Sequence, residues 1–105
     1  MDNLDILQQQ ADKNGIYVDV LEQALIAENF KILKKSYPNI DVDGDITLVD
    51  NCDFSMSVQI SIYRPRYIIN KYDKNEQALY TLASFNKVDE VVDYFSRDLK
   101  NSDSR

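Results

Sequence analysis

An α+β domain is what this sequence predicts, with elements in the order α-α-β-β-β-β-α and an antiparallel four-stranded meander carrying its helices on one face. Three observations lead there. FSMSVQISIY (residues 54–63) alternates Phe54, Met56, Val58, Ile60 and Ile62 with polar residues, the period-2 pattern of a half-buried strand. Val88, Val91, Val92, Phe95 and Leu99 recur at i, i+3, i+4, i+7 and i+11, an apolar helical stripe. Glycine and proline number only two each in 105 residues, so regular elements must be joined by short polar turns.

From the N-terminus, Asp2 is placed to cap a first helix, with Asp5 three residues on in the capping-box position. Leu4, Leu7 and Ala11 follow at helical spacing, and Asn14-Gly15 reads as a stop. A second helix is expected from Asp19 to Tyr37, where Pro38 ends it. Its apolar residues occupy two neighbouring arcs (Leu21, Leu25, Ile32 and Ile26, Phe30, Leu33), wider than a surface helix needs. A short strand, Ile46–Val49, then leads through Asp50-Asn51-Cys52-Asp53 into the alternating strand. Arg64-Pro65 turns the chain into a third strand, Arg66–Tyr72, and Asp73–Glu76 into a fourth, Gln77–Phe85. Asn86 is expected to cap the last helix, with Asp89 near its positive end. Residues 1–100 thus form a single domain, and NSDSR at 101–105 is expected to fray.

Composition excludes several functions. With no histidine and a lone Cys52, the commonest general base, the usual zinc sites and an intramolecular disulfide are missing, and a reducing compartment fits. Neither a secretory signal nor an 18-residue apolar run is read, and a cytoplasmic location is the expectation. No glycine-rich phosphate loop is present, Ser55, Ser57 and Ser61 lack a histidine base, and Asp50 and Asp53 would raise the thiol pKa of Cys52. The expectation is a non-enzymatic protein without a cofactor or metal.

Charge is the informative property. The net value of −6 opposes nucleic acid and anionic membranes alike. Residues 38–60 hold Asp41, Asp43, Asp45, Asp50 and Asp53 with no base, whereas residues 61–75 set Arg64, Arg66, Lys71 and Lys74 against Asp73 alone. PNIDVDGDITLVD (38–50) has an EF-hand-like spacing from Asn39 to Asp50. However, Asn stands for the first Asp, Asp for the closing Glu, and a strand follows where a helix should. QQQADKNGIYVDVLEQAL (8–25) resembles a helix-turn-helix, but Gln10 and Asn14 are polar where that motif buries side chains. Asp19, Glu22 and Glu28 would also face phosphate. Tyr63, Tyr67, Tyr72 and Tyr80 interleave with the cations of 64–74, a pattern that suits base stacking, sheet packing or a protein interface.

Usage rich in Asn, Lys, Asp, Ile and Tyr, together with the ending ALYTLASFNKVDEVVDYF, resembles small acidic accessory proteins of phages and mobile elements in low-GC Gram-positive bacteria. That group includes anti-CRISPR proteins, DNA mimics and a phage blocker of the helicase loader. The resemblance implies an inhibitor acting in the host cytoplasm. The localised charge, not the resemblance, selects Asp41, Asp43, Asp45, Asp50 and Asp53 as the surface expected to dock on a basic host protein of replication or defence and occlude a nucleic-acid or subunit surface. Two other readings share the sequence: a nucleic-acid regulator using residues 8–25 or the Arg/Tyr strand, and an immunity-type protein neutralising a toxin. Homo-oligomerisation is left open.

Overall fold

The structure, a computed structural model, describes residues 3–62 and 66–97. Tyr63, Arg64, Pro65, Leu99, Asp2 and the 101–105 tail, all assigned roles above, lie outside those residues. The architecture is α+β, but with one N-terminal helix and five strands rather than two helices and four strands.

The helix α1 runs unbroken over Asn3–Ala27, straight through Asn14-Gly15. The expected stop there does not occur because Asn14 is fully buried and its Nδ2 donates to the Ser61 carbonyl at 2.5 Å, holding the helix to the sheet. Residues 8–25 therefore contain no turn, and the helix-turn-helix geometry is not formed. Asn14, Val18, Leu21 and Leu25, spaced 4, 3 and 4, make the buried stripe.

The true end of the helix is at Asn29. Its φ of 69° is left-handed, its amide donates to Ile26 O at 2.9 Å, and the Phe30 amide donates to Leu25 O at 3.0 Å. This is a Schellman motif with Asn in the αL position and Phe30 packed on the same core as Leu25. The predicted extension to Tyr37 is thus overturned. In its place lies β1 (Lys34–Ser36), which pairs with the next strand.

The remaining elements are β2 (Gly44–Asp50), β3 (Phe54–Ile60), β4 (Tyr67–Asp73), β5 (Ala78–Phe85) and α2 (Val88–Phe95). All strand pairs are antiparallel and their order is sequential, β1 to β5, an open meander. Asn86 does not cap α2. Lys87 occupies that position in extended conformation with no side-chain cap bond, while Asp89 and Glu90 sit in the first turn, where the helix dipole favours them.

Both helices cover one face. α1 lies on β2 and β3, and α2 lies on β4 and β5. Ile46, Met56, Val58, Ile60, Tyr67 and Ile69 meet Val18, Leu21, Leu25, Val91 and Phe95 in a single core. The alternation in residues 54–60 holds as expected, with Met56, Val58 and Ile60 inward. Beyond the strand, Ile62 is buried as well. Among the described residues the opposite face of the sheet carries no helix, and it is largely polar.

Candidate functional site

On this open face the register sets polar residues side by side. Asp45 pairs with Gln59 and Gln59 with Ile68; Thr47 pairs with Ser57, Ser57 with Asn70, and Asn70 with Thr81. A hydrogen-bonded ladder crosses the sheet. Thr81 Oγ1 donates to Asn70 Oδ1 (3.1 Å), Asn70 Nδ2 to Gln59 Oε1 (3.1 Å), and Gln59 Nε2 to Asp43 Oδ2 (2.5 Å). The other Asp43 oxygen accepts the Ile62 amide at 3.0 Å. Such a connected chain holds each side chain in one orientation, because every rotation breaks a bond at half-buried depth.

At the Asp43 end the ladder opens into a recess of about 550 Å³ lined by Asp41, Val42, Asp43, Asp45, Ser57 and Asn70, among others. Two features of the local chain build it. Asn39 and Val42 exchange backbone hydrogen bonds (2.8 and 3.3 Å), which folds residues 39–42 into a tight turn presenting Asp41 to solvent. Gly44 then lets β2 pass close under Val18 and Pro38. A Cβ there would lie 2.8 Å from Val18 Cγ2 and 2.9 Å from Pro38 Cδ.

Asp45 is the electrostatic anomaly. Its Oδ1 is buried without a hydrogen-bond partner among the described residues. Burial raises its carboxyl pKa above the ordinary value; Ser57, the Ile46 amide and the charge of Lys34 act in the opposite direction. A carboxyl with a raised folded-state pKa destabilises the fold while ionised, and that penalty disappears as pH falls below its unfolded pKa of about 4. Asp45→Asn is therefore expected to stabilise the protein at neutral pH. The gain over the parent should shrink on acidification, as paired denaturation curves at neutral and acid pH would record.

The five sequence-predicted aspartates fall into two groups. Asp41, Asp43 and Asp45 come together around the recess. Asp50 ends β2 and Asp53 follows it in the next turn, roughly 20 Å away along a seven-residue strand. There Lys74 Nζ donates to Asp50 Oδ1 at 2.5 Å and to Asn51 O at 2.7 Å, so the Asp50 charge is answered within the chain, while Asp53 remains exposed. The EF-hand-like spacing does not wrap an ion-sized cavity: Asp43 turns to Gln59, Asp45 points into the sheet face, and Asp50 turns to Lys74. Among the described residues no group of three acidic or thiol side chains is arranged to hold a metal.

The described residues of the Arg/Tyr segment are used internally only in part, and Tyr72 and Tyr80 stay exposed. Tyr67 is in the core, Lys71 Nζ sits 4.6 Å from the centre of the Phe54 ring, Lys74 binds Asp50, and Arg66 Nε donates to Ser84 Oγ. Gln59, Asn70 and Thr81, which orient Asp43, were not singled out from sequence. Only the polar positions of strand 54–60 hinted at them, since their adjacency depends on register across three strands.

Comparison with protein-family models, curated proteins and solved structures finds no match in any of the three. What fold and site define is a class: a small α+β domain with a helix-covered face and an open polar face, acidic at one corner. No helix among the described residues is long and apolar enough to cross a membrane.

Proposed function

We propose that this protein is a non-enzymatic inhibitor or modulator that docks the Asp41, Asp43 and Asp45 corner on a basic surface of a host protein, occluding a nucleic-acid or subunit-binding site. The observation that carries this reading is the pairing of a concave recess with a buried Asp45 oxygen that no donor among the described residues reaches. A guanidinium is the side chain suited to it: planar, always charged and carrying five donors in a fork that matches carboxylates. An arginine entering the recess would supply the missing hydrogen bond and remove the desolvation penalty of Asp45. Complementary charge at the rim would speed encounter and exclude acidic partners. The style shared with phage and mobile-element accessory proteins supports a host protein of replication or defence as the target.

The site differs from the sequence expectation in extent. Asp41, Asp43 and Asp45 form the contact, and Asp50, already bound by Lys74, contributes little. Capture from a low-GC Gram-positive lysate should recover one partner with the parent protein. Asp41→Asn, Asp43→Asn and Asp45→Asn together should weaken that complex roughly 30-fold or more, since truncating one side of a desolvated charge pair costs about 2 kcal/mol or above. Asp50→Asn should leave it unchanged. Equal affinity for parent and triple variant would refute the proposal.

A further inference from the structure

The sheet has two edges of opposite character. β1 is three residues long and carries Lys34 and Lys35, the kind of short, charged strand that discourages pairing. β5 is eight residues long, ALYTLASF, with no charge and no proline. Among the described residues its outer edge has no partner strand, and Leu79, Tyr80 and Leu82 are 65%, 45% and 40% exposed. A long apolar edge of this kind is a template for another strand. We propose that β5 pairs antiparallel with β5 of a second copy, across a two-fold axis between Thr81 and Leu82, joining two five-stranded sheets into one of ten strands.

Three features favour a second copy over an unrelated strand. First, the register on β4 shifts between Ile69 and Asn70, which makes Leu82 an extra residue. Ala78, Tyr80, Ala83 and Phe85 lie opposite helix-side residues of β4, and Leu79, Thr81 and Ser84 opposite open-face ones. Directly opposed residues of an antiparallel pair must point to the same face. In a regular strand a dyad between two adjacent residues would violate this. The extra residue restores it, pairing Ala78 with Phe85, Leu79 with Ser84 and Tyr80 with Ala83.

Second, the same pairing brings the turn that precedes β5, which carries Glu76, alongside the Lys87 end of the other copy's edge, twice by symmetry. Lys87 is exposed, its backbone is extended (φ −127°, ψ 143°), and it has no ion pair among the described residues. Glu76 is exposed and accepts the Tyr80 hydroxyl. The two-fold thus brings an acidic and a basic side chain together at each end of the edge. Third, Tyr80 of the second copy, opposite Ala83 on the helix side, comes within diagonal reach of Phe85. Phe85 and Tyr94 line an open recess of about 450 Å³ that a tyrosine ring can enter.

Strand pairing plus two exposed ion pairs lies at the small end of specific interfaces, so a micromolar dissociation constant is expected. Sedimentation velocity across that range should show the parent protein moving from 12.2 kDa to twice that mass. Glu76→Lys alone and Lys87→Glu alone should each weaken the dimer about tenfold by placing like charges together at both ends, and the two together should restore it. Leu82→Lys should give monomer. These side chains are exposed, so circular dichroism should stay unchanged; if Leu82→Lys misfolds, the charge swap decides alone. A monomer throughout would mean that the bulge blunts the edge and would overturn the proposal. So would a dimer indifferent to the charge swap, which would place the contact elsewhere. Neither result depends on the acidic corner.

Discussion

Replacing Phe95 by alanine is expected to lower the unfolding free energy by about 3–5 kcal/mol, a large part of the 5–15 kcal/mol that holds a typical domain. Phe95 is fully buried at the end of α2 and joins two aromatic contacts. Its ring centroid lies 6.4 Å from Phe30 at 66° and 5.8 Å from Tyr94 at 90°, both edge-to-face. Phe30 is also the residue that closes the Schellman motif after α1. One ring therefore ties the end of the first helix to the last helix and both to the sheet. Truncation leaves a cavity flanked by a backbone turn and a helix, neither of which can collapse freely. Urea unfolding should show the midpoint falling with little change in slope. A loss below about 1 kcal/mol would mean that α2 is not docked on this core.

Gly44→Ala is expected to cost about 1–3 kcal/mol, although it adds one methyl group. That methyl would sit 2.8 Å from Val18 Cγ2 and 2.9 Å from Pro38 Cδ. A proline ring cannot rotate away, and Val18 is held in the buried stripe of α1. The strand must shift instead. The penalty is particular to this glycine: a Cβ at Gly15 would meet only Tyr37 Cδ1, at an ordinary 3.8 Å. Because Gly44 lies between Asp43 and Asp45, the shift should also disturb the hydrogen bonds from Gln59 and Ile62 and weaken partner capture. A lowered melting temperature together with weaker capture is the expected outcome; a melting temperature unchanged within error would contradict the close approach.

Elements with a single strong periodicity were legible from sequence. The strand expected over 54–63 forms over 54–60, and the helix read from the stripe that starts at Val88 forms over Val88–Phe95, because alternation and 3.6-residue spacing report directly on which face is buried. The strands β4 and β5, placed by the polar turns before them, lie within a residue of their expected bounds. The misreadings have local physical causes. Asn14-Gly15 looks like a stop, yet a tertiary hydrogen bond to Ser61 satisfies Asn14 inside the helix. Asn29, an ordinary polar residue in sequence, takes the αL conformation that ends α1. Lys34–Ser36 carries no strand signature at all and becomes one because β2 offers an unpaired edge.

The crowding of acidic residues between 38 and 60, the absence of histidine and the helix-and-strand composition were properties of the chain alone. Local covalent order suffices to state them. Only the tertiary structure decided that Asp41, Asp43 and Asp45 share a recess while Asp50 is neutralised by Lys74, and that Gln59, Asn70 and Thr81 orient Asp43. The reason is strand register. Contacts between residues 11 to 24 positions apart depend on which residues stand opposite one another across the sheet, and a slip of one residue would send every one of those side chains to the other face.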